Sequence, residues 1–433
     1  MRYLVFIALA LVLLVGAVSA LPSEVTQTIV ATASGGDVYQ EADNYVEEAS
    51  GSITQSITQV ADAEDYVYQY AWNSADQDGS DCITTQTIGQ TAVAGGDIDQ
   101  YAYNDAYFYG DGNVAFQSVF MDANAGGWAY QDGYNYVDMY GDDGWMSTMV
   151  DQSATLNAIA GDWVYQYFYN DIPYATGGSV NDQAITMSGT AGTDVYQYLY
   201  NYIELWGGVT EDTQVLNAGA FAADGDVYQD AYNELEYDSY AYSFGTDLAS
   251  QSIYLSGVAT DDVYQYGENY ADLDDSATLG QLVSMGGDGA FVEQFGYNYA
   301  WFGDSAIIAQ ALEFSAISND EGVYQDGGNY AENWYAYGGS TNNIGQSISA
   351  AATGGDSSYQ DLWNYADTWW NGDASVYNVT QSNVATLAAN DEAYQYMYNY
   401  IDWWGPNTGS VAMDINGDAS ADYVYQYHEN WIG

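Results

Sequence analysis

Taken at every second position, residues 227–235 (VYQDAYNEL) place Val, Gln, Ala, Asn and Leu on one face and Tyr, Asp, Tyr and Glu on the other. A repeat of two is that of a β-strand, whose successive side chains point to opposite sides. The frame returns thirteen times, at intervals of 29 to 36 residues, on Gln40, Gln69, Gln100, Gln131, Gln166, Gln197, Gln229, Gln265, Gln294, Gln325, Gln360, Gln395 and Gln426. Four residues after each Gln stands an Asn: Asn44, Asn73, Asn104, Asn135, Asn170, Asn201, Asn233, Asn269, Asn298, Asn329, Asn364, Asn399 and Asn430. A spacing of four also fits one face of a helix loosely, and the flanking residues decide for strand. Val or Ile usually stands two before the Gln, and a small or apolar residue stands two after it except at His428. The residue six after it is apolar in all thirteen copies, while Tyr directly precedes the Gln in eleven, Asp99 and Glu293 being the exceptions.

A second strand precedes each of these, marked in twelve copies by another Gln 13 to 15 residues upstream, from Gln27 and Gln55 to Gln346 and Gln381. Its clearest copies, QSITQVA from Gln55 and QTIGQTA from Gln86, alternate Gln, Ile, Gln and Ala on one face. Turn residues such as GGD (35–37 and 95–97) and GD (161–162) lie between the two strands, and YGDGN, YGDDG and NGDAS lie between repeats. Each repeat therefore reads strand, turn, strand, turn.

The constancy of the amides points inward. On a solvated face any polar residue would serve, as Tyr, Asp, Glu and Trp do on the other face. A buried amide without a partner costs about 1–3 kcal/mol. Identical amides stacked about 4.8 Å apart pass a hydrogen bond from one NH₂ to the next carbonyl, so each residue is the partner of its copy above and below. One wrong residue breaks two links. The expected fold is all-β: a β-arch or β-solenoid stack of about 13 strand-turn-strand repeats over 21–433, amyloid-like, with inward Gln and Asn ladders. Thirteen rungs make a rod on the order of 60 Å long. Hairpins laid side by side in an antiparallel sheet keep the same alternation and remain open. The aromatic rows of the outer face either stack across strands or pack against another sheet or subunit.

Composition removes several functions. The single basic residue is Arg2, in MRYLVFIALALVLLVGAVSA, which reads as a signal peptide over 1–20 with cleavage after Ala20. The mature chain then has no Lys or Arg, keeps all 61 acids and moves from a net charge of -60 to -61. With nothing to neutralise phosphate, nucleic acid is excluded as a partner, and no membrane insertion is expected after cleavage. Acidic disordered chains are poor in aromatics, whereas this one has 47 Tyr, 13 Trp and 11 Phe, which are strand formers. Cys82 stands alone, either as a tolerated free thiol or as a bridge between two copies. Asn378 opens a sequon, Asn-Val-Thr, of the kind that accepts a glycan in an exported chain. The DQDGSD turn (76–81) spaces acids as calcium loops do but lacks the closing Glu. No cofactor is expected, and divalent cations are expected only as diffuse counter-ions.

No terminal cap is visible, and Lys and Pro gatekeepers are scarce, so open edge strands are expected to recruit further copies. Repulsion among stacked carboxylates opposes this, and divalent cations or acid would help it.

Regular Gln and Asn in strand-turn-strand repeats resemble curlin repeats of bacterial biofilm amyloid, with a longer repeat and a different Gln–Asn spacing. The exported, Tyr-rich, acidic, nearly Lys-free array with its lone Cys82 more closely resembles the amyloid-like sheath protein of filamentous methanogenic archaea. This resemblance implies a homopolymer at the extracellular cell surface, in contact with other envelope components: hoops stacked into a resistant tube, with cross-linking through Cys82. The alternatives are a curli-like biofilm amyloid and an adhesin that holds carbohydrate on its Tyr and Trp rows. An enzyme is disfavoured by an inventory of one His, one Cys and no Lys, and by the lack of a repeat broken to form a cleft.

Overall fold

The computed structural model describes residues 24–433 apart from 111, 141–147, 177–179, 207–210, 238–245, 274–275, 304, 334–340, 369–375 and 404–408. The expected signal segment over 1–20 lies outside the described residues, as do the residues of the expected YGDDG turn after Tyr140 and of the NGDAS turn at 371–375. The described chain forms 22 strands, from β1 (Glu24–Ala49) and β2 (Ser52–Asp78) through β3 (Ile83–Ala94) and β4 (Asp97–Tyr109) to β21 (Val411–Ser420) and β22 (Tyr423–Ile432). Every pairing among them is parallel, which excludes the antiparallel hairpin arrangement.

The result is a parallel β-solenoid with two arms per turn. Counted as separate strands it makes about 11 turns. Four strands, β1, β2, β15 (Ser276–Phe302) and β16 (Ala306–Asn333), run through the bend and carry both arms of one rung, so the coil still holds thirteen Gln–Asn rows. In two of these strands the expected turn is a kink: β1 shifts register against β2 between Gly35 and Asp37, and β15 shifts against β16 between Gly289 and Phe291. Gly bends a strand there without taking it out of the ladder.

From the third to the sixth rung the bend is a true turn, built on a column of glycines, Gly95, Gly126, Gly161 and Gly192. The Gly126 amide donates to the Ala94 carbonyl at 3.0 Å, Gly161 to Ala125 at 3.1 Å and Gly192 to Ala160 at 3.2 Å. A Cβ on Gly126, Gly161 or Gly192 would collide with the carbonyl oxygen of the glycine one rung back, Gly95, Gly126 or Gly161 respectively.

The core between the arms has three apolar layers that run the length of the rod. One contains Val38, Val67, Ile98, Val164 and Val195; a middle one Ile57, Ile88, Phe168 and Leu199; a third Phe108, Ile172, Ile203 and Leu235. Val38, Phe168, Leu199, Ile172, Ile203 and Leu235 hold the Val, small or apolar, and aliphatic positions of the sequence frame. Ile57 and Ile88 come from the first arm, Phe108 lies beyond the aliphatic position, and the Gln and Asn rows lie between the layers. Removal of these columns from water is the main source of stability.

Candidate functional site

All thirteen Gln of the second arm lie in direct register. Gln40 pairs with Gln69, Gln69 with Gln100, Gln100 with Gln131, Gln131 with Gln166, and so on through Gln294, Gln325 and Gln360 to Gln395 against Gln426. Each donates from Nε2 to Oε1 of the Gln one rung back, at 2.7–3.0 Å, without a gap. The thirteen Asn make an equally continuous ladder at 2.8–3.0 Å, but it runs the other way. Nδ2 of Asn44 donates forward to Oδ1 of Asn73, Asn73 to Asn104, Asn104 to Asn135 and Asn135 to Asn170. The same bond links Asn170, Asn201, Asn233, Asn269 and Asn298 in turn, and then Asn329, Asn364, Asn399 and Asn430. The Gln of the first arm, from Gln27 to Gln381, form a third ladder in the backward sense at 2.7–3.1 Å.

The ladder bond uses only one amide hydrogen. The second crosses the core: Gln69 donates to the Thr91 carbonyl at 3.3 Å, Asn73 to Thr87 at 3.2 Å and Gln86 to Asp105 at 2.7 Å. Each amide thus ties its rung to the next and one arm to the other. That requires two donors and an acceptor on one planar group, which only Asn and Gln carry.

Two interruptions display the same logic. Gln59 and Gln90 begin a further row, and Gln90 donates to Gln59 at 2.8 Å, but the next residue in register is Met121. Met413 likewise follows Gln381. Gln90 Oε1 and Gln381 Oε1 are both buried without a hydrogen-bond partner. A thioether offers neither the donor nor the geometry that the carbonyl needs.

The two outer faces differ. On the second arm the Tyr rows stack ring on ring, as in Tyr130–Tyr165 at 5.0 Å, Tyr196–Tyr228 at 4.9 Å and Tyr228–Tyr264 at 4.8 Å. Phenols and indoles donate to the carboxylates set among them: Trp72 to Asp105 at 2.7 Å, Tyr134 to Asp105 at 3.2 Å and Tyr202 to Glu204 at 3.0 Å. On the first arm the outward positions are largely Ser, Thr, Gly and Ala with exposed aliphatics, among them Val30, Val93, Ile159, Ile307 and Ile317.

Packing of acids among aromatic rings raises their pKa values. Burial lifts Asp171 to about 7, with the charges of Asp138 and Glu204 adding to it and the Tyr169 phenol opposing it. Burial, together with the charge of Asp361, lifts Asp326 to about 6 against a hydrogen bond from Tyr297. Carboxyls raised in the folded state contribute stability that is complete below the unfolded value near 4 and is lost as pH rises through the folded one. The urea midpoint should therefore fall between about pH 4 and 7, and Asp171→Asn should flatten the upper part of that curve. Parallel curves for the variant and the parent would rule Asp171 out as the cause.

The remaining candidates lie apart from the ladders. Cys82 is a free, fully buried thiol, with its backbone N–H on Asn113 Oδ1 at 2.9 Å and its Sγ accepting from the Gly51 amide at 3.4 Å. A second thiol reaches it only if the surrounding turn opens. Asn378 donates to Asn343 Oδ1 at 2.9 Å and accepts from the Ser410 hydroxyl at 3.0 Å. His428 stands 3.2 Å from Gln395 Oε1, and burial lowers its pKa. Among the described residues no three His, Cys, Asp or Glu side chains converge as metal ligands, the 76–81 turn included.

No family model matches this chain, and no curated protein or solved structure is similar to it.

Proposed function

We propose that this is a secreted structural protein that assembles by stacking rung on rung into a resistant extracellular sheath or fibre. One observation carries the reading: the two sides of every rung are complementary. Towards the C-terminal side a rung offers Gln carbonyls and Asn N–H groups; towards the N-terminal side it offers Gln N–H groups and Asn carbonyls. A rung from another copy meets the same offer as the next rung of the same chain. Reversed stacking would set carbonyl against carbonyl in the Gln rows, so copies join head to tail and the polymer is polar. The backbone adds a ladder of parallel bonds, and β22 lies exposed along nearly all its length. The aliphatics on the first-arm face supply a surface for lateral contact. Divalent cations or mild acid favour assembly by screening or neutralising the carboxylates.

The test is fibre diffraction on native, unboiled cell-surface material in which this chain has been located by antibody. Reflections near 4.7 Å along the fibre and near 10 Å across it are expected. A soluble monomer without them would end the structural reading and bring forward an adhesin.

A further inference from the structure

The second-arm face carries a groove of about 360 Å³, on β8 (Val164–Thr176), β10 (Val195–Trp206) and β12 (Val227–Tyr237). Its walls are Tyr167, Tyr169, Tyr198, Tyr200 and Tyr232, with the Asp230 carboxylate. The opening has two causes. In the row one after the Gln, the short Asp230 stands in register between Tyr198 and Tyr266, so the row loses a ring there. Two rings of the same rung, Tyr198 and Tyr200, also pack on different neighbours. Tyr198 packs on Tyr165 at 5.6 Å, whereas Tyr200 packs on Tyr169 at 4.8 Å and tilts 44° against Tyr232 at 6.2 Å. The Tyr200 hydroxyl is engaged by Glu234, which holds that ring in place.

Asp230 differs from its counterparts. Asp105, Asp132, Asp138 and Glu268 each accept a hydrogen bond from a neighbouring phenol or indole. Asp230 takes none from the rings around it, although it is partly buried among them, and burial alone raises its pKa. A nearby cation stabilises a partly desolvated carboxylate that has no donor. The walls supply the rest of the recognition: ring faces attract a cation through their quadrupole, and they favour one whose charge is spread over methyl groups and which needs no hydrogen bonds. The chain around the groove has a net charge of -60, which concentrates cations at its surface.

We propose that this groove binds a small methylated ammonium ion, held by the five tyrosine rings and the Asp230 carboxylate. The site lies within one chain, so it stands or falls independently of assembly.

The test uses the full chain at pH 8 and constant ionic strength, with choline as the probe, followed by calorimetry and by saturation-transfer NMR. Saturable binding is expected, at least tenfold tighter than that of the neutral isostere 3,3-dimethyl-1-butanol and not displaced by equimolar sodium. Asp230→Asn and Tyr167→Ala should each weaken it fivefold or more, while Tyr167→Phe keeps it. Tyr167 is among the more exposed rings of its row, at 41 %, so its truncation leaves the core intact. Equal binding of the neutral isostere, displacement by sodium, tighter binding of glucose, or undiminished binding in both weakening variants with an unchanged β-sheet spectrum would each overturn the proposal.

Discussion

Gln229→Leu should lower the stability of the rod by about 3–5 kcal/mol, whereas its sequence neighbour Tyr228→Phe should cost less than about 1 kcal/mol. Gln229 is buried, donates to Gln197 Oε1 at 2.8 Å and to the Ser256 carbonyl at 3.3 Å, and accepts from Gln265 Nε2 at 2.7 Å. Leucine, though one atom shorter, is of similar volume, so the loss is chiefly one of bonding. It leaves an acceptor on one side and a donor on the other inside a dry core, and an orphaned buried group costs more than an average hydrogen bond contributes. Tyr228 gives up only a bond to Asp226 at 3.1 Å on a face that water reaches. Urea unfolding, with hydrogen exchange at the amides of β10, β12 and β14 (Asp262–Leu273), measures both effects. Assembly monitored by light scattering should follow the same order. Equal losses in the two variants would remove the case for ladders as the specific element of the core.

A comparable effect is expected from one methyl group at the bend. Gly161→Ala would place a Cβ against the carbonyl oxygen of Gly126 in the rung before it. The obstacle is backbone within a parallel ladder, so relief requires the two rungs to separate at that corner, at a cost on the order of 3 kcal/mol. The chain itself supplies a comparison. At the seventh rung Ala223 occupies the place that Gly192 holds at the sixth, and there the connection from Gln to Gln is one residue longer, 214 to 229 against 183 to 197. Gly219→Ala serves as the control, because a Cβ there meets nothing within 4 Å, and the change should be neutral or slightly stabilising. Thermal unfolding followed by circular dichroism separates the two. If both glycine variants melt alike, the close stacking of the corners is not what the glycines serve.

Much of this architecture was legible in the residues alone, because a solenoid repeats one local problem. The frame of Val, Gln, small, Asn and aliphatic residues identifies the inward face from alternation, and the constancy of Gln40 to Gln426 and Asn44 to Asn430 reveals that each residue's partner is its own copy. The ladders fall where that reasoning places them. The strand length was less legible. The GGD at 35–37 has the composition of a turn, yet β1 continues through it, since glycine serves a kinked strand as well as a turn. Cys82 could not be placed from spacing, and the structure buries it beside the turn.

Sequence by itself therefore determined the period, the inward and outward faces, the rung spacing and the kind of bond along the rod, because each depends only on neighbours at a fixed separation. Tertiary structure decided what happens across the core and between rows. It set all the described strands parallel, turned the Asn ladder against the Gln ladders, and used the second amide hydrogen to join the arms. It also left Asp230 without the phenol or indole donor that Asp105, Asp132 and Glu268 have. Those outcomes depend on which groups from different rungs and arms come within about 3 Å of one another. No one-dimensional pattern carries that distance.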